Sequence, residues 1–356
     1  MKTFIAVPLL FTAGLLFLFK KPKHGMNNIQ VIGSHNSYKE YIDTPLFLMI
    51  KKEDSNVVKT IEYSHSSLSN QLNLGLRSLE IDVYADTHGG RYAHPGGLAW
   101  AGKNPLRPYD PEGLMREPGF KVLHVQDIDF RSNCLTLKRC LQELRTWSDA
   151  HPGHEPVFIT VNAKDDTINK PVFTRPEKFT PALLDGLDTV IAETLGLDKL
   201  ISPALVRGKY ASLEQGVLHN NWPKLNEARN KFVFVLDEEG AKRAAYIKGH
   251  TSLEGRNMFV NSPAGTDEAA IIIINDPVKN LSTIQQLVKK GYIVRTRADA
   301  DTREARTNDK TRFDAACRSG AQIISTDYYA KSQFFKSDYI VSFDKGRYVR
   351  ANPVVH

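Results

Sequence analysis

The sequence predicts an α/β protein folded as a (β/α)8 barrel in a single domain. Three observations carry that expectation. Eight runs rich in Val, Ile and Phe recur along the chain, each ending in polar residues, as strands buried in a parallel sheet do. Helical patterns or long loops separate them, which suits crossover connections between parallel strands. A chain of 356 residues is also long enough for one barrel-sized domain. A doubly wound sheet is the structural competitor. No GxGxxG follows a strand, however, and no GxxxxGK precedes Ser or Thr, so a nucleotide cradle has no support.

The candidate strands are, in order, IQVIG, SLEIDVY, KVLHVQ, PVFITVN, KFVFVLD, AAIIIIND, YIVRTRAD and AQIISTD. Among the helical stretches, TLKRCLQELRTWSDAH precedes the fourth strand and TPALLDGLDTVIAETLGL follows it. The latter has Leu183, Leu187, Val190, Ile191 and Leu195 at helical spacing, with Gly196 suited to cap its end. LSTIQQLVKKG also closes on glycine. Residues 86–120, rich in Gly and Pro, read as one long excursion between the second and third candidates.

Residues 1–24 stand apart. Lys2 precedes an apolar run from Phe4 to Phe19, and Lys20–Lys23 reads KKPK. Such a short run behind a positive start is typical of a signal-peptide core. No Ala-x-Ala-like cleavage site follows, so an uncleaved anchor is the alternative. Either way residues 25–356 are expected to work beyond the cytoplasmic membrane: secreted, periplasmic or at the cell surface. Cys134 and Cys140 in SNCLTLKRC are near enough for a local disulfide, two reduced core thiols being the other reading, and Cys317 is left over. The four lysines of residues 1–24 account for four of the +7 formal charges, leaving +3. That is too little to argue for nucleic acid.

In a barrel of this kind the chemistry stands where strands end, on loops at the C-terminal edge. His35 and Asn36 end the first candidate, and the second carries Glu80 and Asp82 on one side. The third carries His124, with Gln126 and Asp127 just after. Asn162 and Lys164 end the fourth, and Asp237 and Glu238 the fifth. The seventh presents Arg295, Arg297 and Asp299 in alternation, and Asp327 and Tyr328 end the eighth. Each residue alone has an ordinary structural explanation. Together they place costly charge at the same end of strand after strand, which packing does not require. His88, His94, His151 and His154 read as structural, the last two preceding the fourth strand at the opposite end.

The runs GSHNSY, GLRSLEIDVYAD, KVLHVQDIDFRSNCLTLKRCLQELRTWSDAHPGHEPVFI and GYIVRTRADADTREARTNDKTRFDAACRSGAQIISTDYY closely resemble the calcium-dependent phosphoinositide-specific phospholipase C-like family. The resemblance spans residues 28–345, with the motifs in the family's order. It implies a distorted TIM barrel of the PLC-like phosphodiesterase type and a calcium ion. It also implies cleavage of a phosphoinositide to diacylglycerol and an inositol (cyclic) phosphate, at a membrane surface and by a monomer. By the same resemblance His35 contacts the phosphoryl group or acts as base, and His124 protonates the leaving oxygen. Asn36, Glu80, Asp82 and Asn162 are the implied calcium ligands, with Glu80 also in the catalytic set. Lys164, Arg295 and Arg297 are implied to bind phosphate, Asp327 to orient His35, and Tyr328 to stack on the sugar. One departure stands out: related phospholipases have a glutamate where ITVNAK offers Asn162, a ligand without charge. A glycerophosphodiester hydrolase is the sister reading, though such enzymes typically begin HRG. A non-catalytic inositol-lipid binder is a third, motivated by Asn162 and opposed by the intact His35 and His124.

Overall fold

The computed structural model describes residues 25–104 and 106–355; residues 1–24, and the leader or anchor expected there, lie outside them. Ten strands form among the described residues: β1 Ile29–Ser34, β2 Ser78–Asp86, β3 Gly119–Val122, β4 Val157–Ala163, β5 Phe232–Leu236, β6 Met258–Val260, β7 Ile271–Ile273, β8 Ile293–Arg297, β9 Ile323–Thr326 and β10 Val349–Ala351. Eight of them are parallel, in the order β6-β5-β4-β2-β1-β9-β8-β7. A parallel bridge between Asn261 and Ile271 brings the two ends of that row together. The result is a nearly closed (β/α)8 barrel.

Apolar composition explains the strands. β2 and β5 are buried along their whole lengths, because helices cover the outside while side chains fill the lumen. Val31, Leu79, Ile81, Phe158, Ile159 and Phe234 belong to the main cluster. The helix Leu137–Ala150 starts where Thr136 caps Arg139, and Pro181–Leu195 starts where Thr180 caps Leu183 and ends at Gly196. Cys134 and Cys140 form a disulfide at the start of the first of these helices, and Cys317 is a free, half-buried thiol.

Two strand assignments are corrected. The third candidate, KVLHVQ, is no barrel stave: β3 runs antiparallel to β2, pairing Val122 with Val83 and Gly119 with Asp86. The missing stave is β6, three residues long. β2 has nine residues and overshoots the mouth, and β3 adds to the overhang. Its direction delivers the chain back to the barrel rim, where His124 follows.

The barrel is distorted at β1. That strand meets β2 at a single pair, Gly33 with Ser78, while β10 takes its lower edge from Ile29 to Val31. A Cβ on Gly33 would lie 2.2 Å from the Ser78 carbonyl oxygen, a clash with backbone that has no soft side chain to yield. The contact sits two residues before both His35 and Glu80, so it sets their relative height. We expect Gly33→Ala to lose roughly 1–3 kcal/mol in urea unfolding, the scale of overpacking. A variant as stable as the parent would show that this approach does not align the two strands.

Candidate active site

Strand ends from around the mouth converge on one cleft, and backbone contacts explain why. The His35 amide donates to the Thr326 carbonyl at 3.0 Å, carrying β1 pairing one step past its end. Asn36 then turns sharply with φ 46°, a left-handed conformation that asparagine tolerates. Ser37 fastens the turn to β2: its amide donates to the Glu80 carbonyl at 2.9 Å, and its Oγ accepts from the Glu80 amide at 2.7 Å. His35 is thereby held between β9 and β2.

Its imidazole uses both nitrogens. Nδ1 lies 2.8 Å from Asp327 Oδ1, and Nε2 lies 3.5 Å from Glu80 Oε1. Arg297 Nη2 stands 3.3 Å from Nδ1 and 3.4 Å from Asp327 Oδ2. Burial, and then the Arg297 guanidinium, hold the imidazole well below its ordinary range, although Glu80 pulls the other way. Asp327 is itself supported from behind. Its amide donates to Asp299 Oδ1 at 2.9 Å, and Thr326 Oγ1 donates to Asp299 Oδ2. Burial, reinforced by Asp327, pushes the Asp299 carboxyl up to about 7.

His124 reaches the cleft by a different path. The chain turns back after Val125, so that the Asp129 amide donates to the Val125 carbonyl at 2.9 Å. This places Asp129 Oδ2 2.7 Å from His124 Nδ1, with the Lys39 ammonium 3.3 Å from the same oxygen. Asp129 and Lys39 are wholly buried, whereas the His124 side chain keeps 15% exposure. The Tyr63 ring lies near both imidazoles, with centroids 6.1 Å from His35 and 6.5 Å from His124.

Between these histidines and the far wall lie the β2 carboxylates. Asp82 pairs in register with Asn162 on β4, whose Nδ2 donates to Glu80 Oε1 at 3.1 Å and Asp82 Oδ1 at 2.9 Å. Arg295 donates to Glu80 Oε2 and to Asn275 Oδ1. Lys164 Nζ stands 3.8 Å from Asp82 Oδ2 and is a third exposed. Asn36 Nδ2 donates to the Tyr63 hydroxyl at 2.7 Å. Asp237 sits close by, its Oδ1 accepting from Asn261 Nδ2 at 3.1 Å; burial raises its carboxyl to about 6, Arg295 opposing and Glu80 adding. Among the described residues no three of His, Cys, Asp and Glu group as a metal site.

The structure brings His35, Asn36, Glu80, Asp82, His124, Asn162, Lys164, Arg295, Arg297 and Asp327 to this mouth. Four expectations need correction. Tyr328 cannot stack on a sugar, because it is 2% exposed and packs edge-on against Phe335 and Tyr339 in an apolar cluster. Arg295 is not a free phosphate binder, because its guanidinium is committed to Glu80 and Asn275. Asp127 does loop work, accepting from the Gly96 amide at 2.7 Å and the Thr174 amide at 2.6 Å. Glu238 likewise turns away, to the Ala163 amide and Lys242. Sequence reasoning missed Asp129, Lys39, Tyr63 and Asn275. The run QDID offered both acids, but only the return of the turn shows which one meets His124.

Comparison with known proteins gives a consistent answer. The family model described as phosphoinositide phospholipase C, Ca2+-dependent, matches residues 25–353. Among solved structures the chain is similar to a calcium-dependent phosphoinositol-specific phospholipase C from Pseudomonas sp., a Gram-negative bacterium. The two share 17% identity over 92% of this chain and 96% of that one, with a TM-score of 0.53. It is also similar to a Ca2+-dependent phosphatidylinositol-specific phospholipase C from Streptomyces antibioticus, with 16% identity over 86% and 95% and a TM-score of 0.54. At such identities these structures support the fold. No curated protein matches the chain.

Proposed function

The chain belongs to the Ca2+-dependent phosphoinositide phospholipase C family, and from that premise we propose that it cleaves phosphatidylinositol lipids at a membrane surface, releasing diacylglycerol and an inositol cyclic phosphate. The observation that carries this reading is the pair of imidazoles, each backed by a buried carboxylate, facing one acidic cup: His35 on Asp327 and His124 on Asp129. The apolar run within residues 1–24 supports action beyond the cytoplasm.

Two histidines held in this way suit an internal displacement. The inositol 2-hydroxyl attacks phosphorus, and His35 receives its proton through Nε2. Asp327 accepts at Nδ1 and keeps the imidazole in the tautomer that leaves Nε2 basic. As the bond from phosphorus to the glycerol oxygen breaks, His124 gives that oxygen a proton, and diacylglycerol departs. Asp129 stabilises the charged imidazole from which the proton comes. Arg297, next to His35, offers its guanidinium to the phosphate oxygens. Water then restores both protonation states, and it opens the cyclic phosphate if that product stays bound.

Calcium is the family's cofactor, and the donor set here fits a hard cation. Glu80, Asp82, Asn36 and Asn162 offer only carboxylate and amide oxygens, and the Asn162 amide already bridges both carboxylates. These four residues would hold the ion. When bound, it would neutralise phosphate charge and acidify the 2-hydroxyl. The set is poor in charge, since only Glu80 and Asp82 are anionic and Arg295 already pairs with Glu80.

Turnover of phosphatidylinositol should stop in excess chelator and return with added calcium; full turnover in chelator would remove the metal from the reaction. His124→Ala should cost about 10²–10⁴-fold on the lipid and markedly less on a nitrophenyl phosphodiester, whose leaving group needs no proton. Equal losses on both would make His124 a positioning residue. Asn162→Glu should tighten calcium binding to the free protein by roughly 1–2 kcal/mol in calorimetry, as a charged contact replaces a neutral one. No tightening in a folded, active variant would take Asn162 out of the calcium shell.

A further inference from the structure

We propose that Lys39 is a positioning residue for His124: acting through Asp129, it holds the imidazole in place and limits how firmly that imidazole keeps its proton. This rests on the reading of the cleft as a lipid phosphodiesterase. The Lys39 side chain is wholly buried, so it touches no ligand in the cleft. Its backbone belongs to the turn after β1 that carries His35 and Asn36, and its amide donates to the Asn36 carbonyl at 2.9 Å. From that turn Nζ donates to the carbonyls of Tyr63 and Glu40 at 2.7 and 3.4 Å, and it lies 4.6 Å from the centre of the Tyr63 ring. Its ionic partner is Asp129 Oδ2 at 3.3 Å, the same oxygen that lies 2.7 Å from His124 Nδ1. One turn thus supplies the first imidazole and the cation behind the second.

Charge explains why a lysine stands there. A carboxylate sealed from water beside nothing but an imidazole would stabilise the charged imidazole strongly, and a general acid so held would keep its proton. Asp129 Oδ1 has no hydrogen-bond partner, so imidazole and ammonium share Oδ2. The ammonium answers part of that oxygen's charge and opposes a second positive charge on the ring. Burial lowers the Lys39 amine from its ordinary range, while Asp129 pulls it back up. The order of imidazole, carboxylate and cation recurs at His35 with Asp327 and Arg297. There the cation stands at the open cleft; here it is sealed, which leaves it positioning and charge balance alone. The other titratable groups around this pair are His35 and Asp327 across the cleft and the hydroxyls of Tyr38, Tyr63 and Tyr84. Burial pushes all three hydroxyls above the tyrosine range, so they stay neutral.

Removing the charge tests this. In Lys39→Met, kcat on phosphatidylinositol should fall about ten- to a hundred-fold with KM little changed. On a nitrophenyl phosphodiester, whose leaving group needs no proton, the loss should stay under about three-fold. The alkaline limb of the kcat profile should move up by about one pH unit, because without the ammonium His124 and Asp129 keep their shared proton to higher pH. Lys39→Arg retains the charge and should leave the limb where the parent has it. Lys39→Gln can donate to the same oxygens without charge, and it replaces Lys39→Met if that variant does not fold. An unmoved limb, or equal losses on the two substrates, in whichever neutral variant folds overturns the proposal. So does failure of both neutral variants to fold while Lys39→Arg folds, which would make Lys39 a structural counter-ion. Histidine NMR reads the same displacement without turnover. The His124 ring signals, assigned by their loss in His124→Ala, should titrate at higher pH in the neutral variant than in the parent. That displacement in a protein that cleaves no inositol lipid would support the coupling of Lys39 to His124 and refute the phosphodiesterase reading.

Discussion

The mouth of this barrel depends on keeping two carboxylates of one strand side by side where water scarcely reaches. Glu80 is 5% exposed and Asp82 3%, and burying an ionised carboxylate costs several kcal/mol unless partners compensate. The partners come from different strands. Asn162 on β4 is in direct register with Asp82, while Lys164 follows at the end of the same strand. His35 follows β1, and Arg295 reaches Glu80 from β8, three places away in the strand order. That last pair therefore crosses the lumen. Remove it, and a buried charge is stranded on each wall.

The same economy explains how the two imidazoles are delivered. His35 needs no loop of its own, because β1 ends against β9 on one side and the Ser37 clamp holds Glu80 on the other. His124 has no barrel stave beneath it. The overhang of β2 supplies one, since β3 pairs back along it and releases the chain level with Val83, one residue beyond Asp82. A tight turn then folds Asp129 onto the ring. Each histidine is thus oriented by a carboxylate from a segment whose position hydrogen bonds already determine.

Much of this was legible in the sequence because charged residues inside apolar runs are costly and so stand out. Glu80 with Asp82, Arg295 with Arg297, and His35 with Asn36 are visible for that reason, and the family motifs order them along the chain. What was not legible depends on contacts far apart in sequence. KVLHVQ reads as a parallel stave, and only its pairing with β2 shows that it runs the other way. β6 has too few residues to announce itself. Tyr328 follows the acid that orients His35 and invites a role, yet Phe335 and Tyr339 arrive to bury it. Arg295 and Arg297 alternate identically, but Glu80 lies across the lumen from one, whereas His35 and Asp327 stand beside the other.

The charges of the cleft, counted together, say something that no single pair does. Arg295 faces Glu80, Lys164 faces Asp82 at 3.8 Å, Arg297 faces Asp327 at 3.4 Å, and Lys39 faces Asp129 at 3.3 Å. Four carboxylates meet four cations, so this set carries no net charge to draw in a phosphodiester anion. Lys39 and Arg295 are buried behind their partners and cannot turn to a ligand without stranding a carboxylate. Lys164 and Arg297 have the more open positions, but each already answers an acid. A divalent cation meets the converse shortage, with two carboxylates available and both of them paired. Anion and cation therefore each bring the charge that the other's half of the cleft lacks. Two ligands in that relation bind more tightly together than apart, and the coupling is reciprocal. Under the function proposed above, calcium and the headgroup would therefore bind as one coupled event.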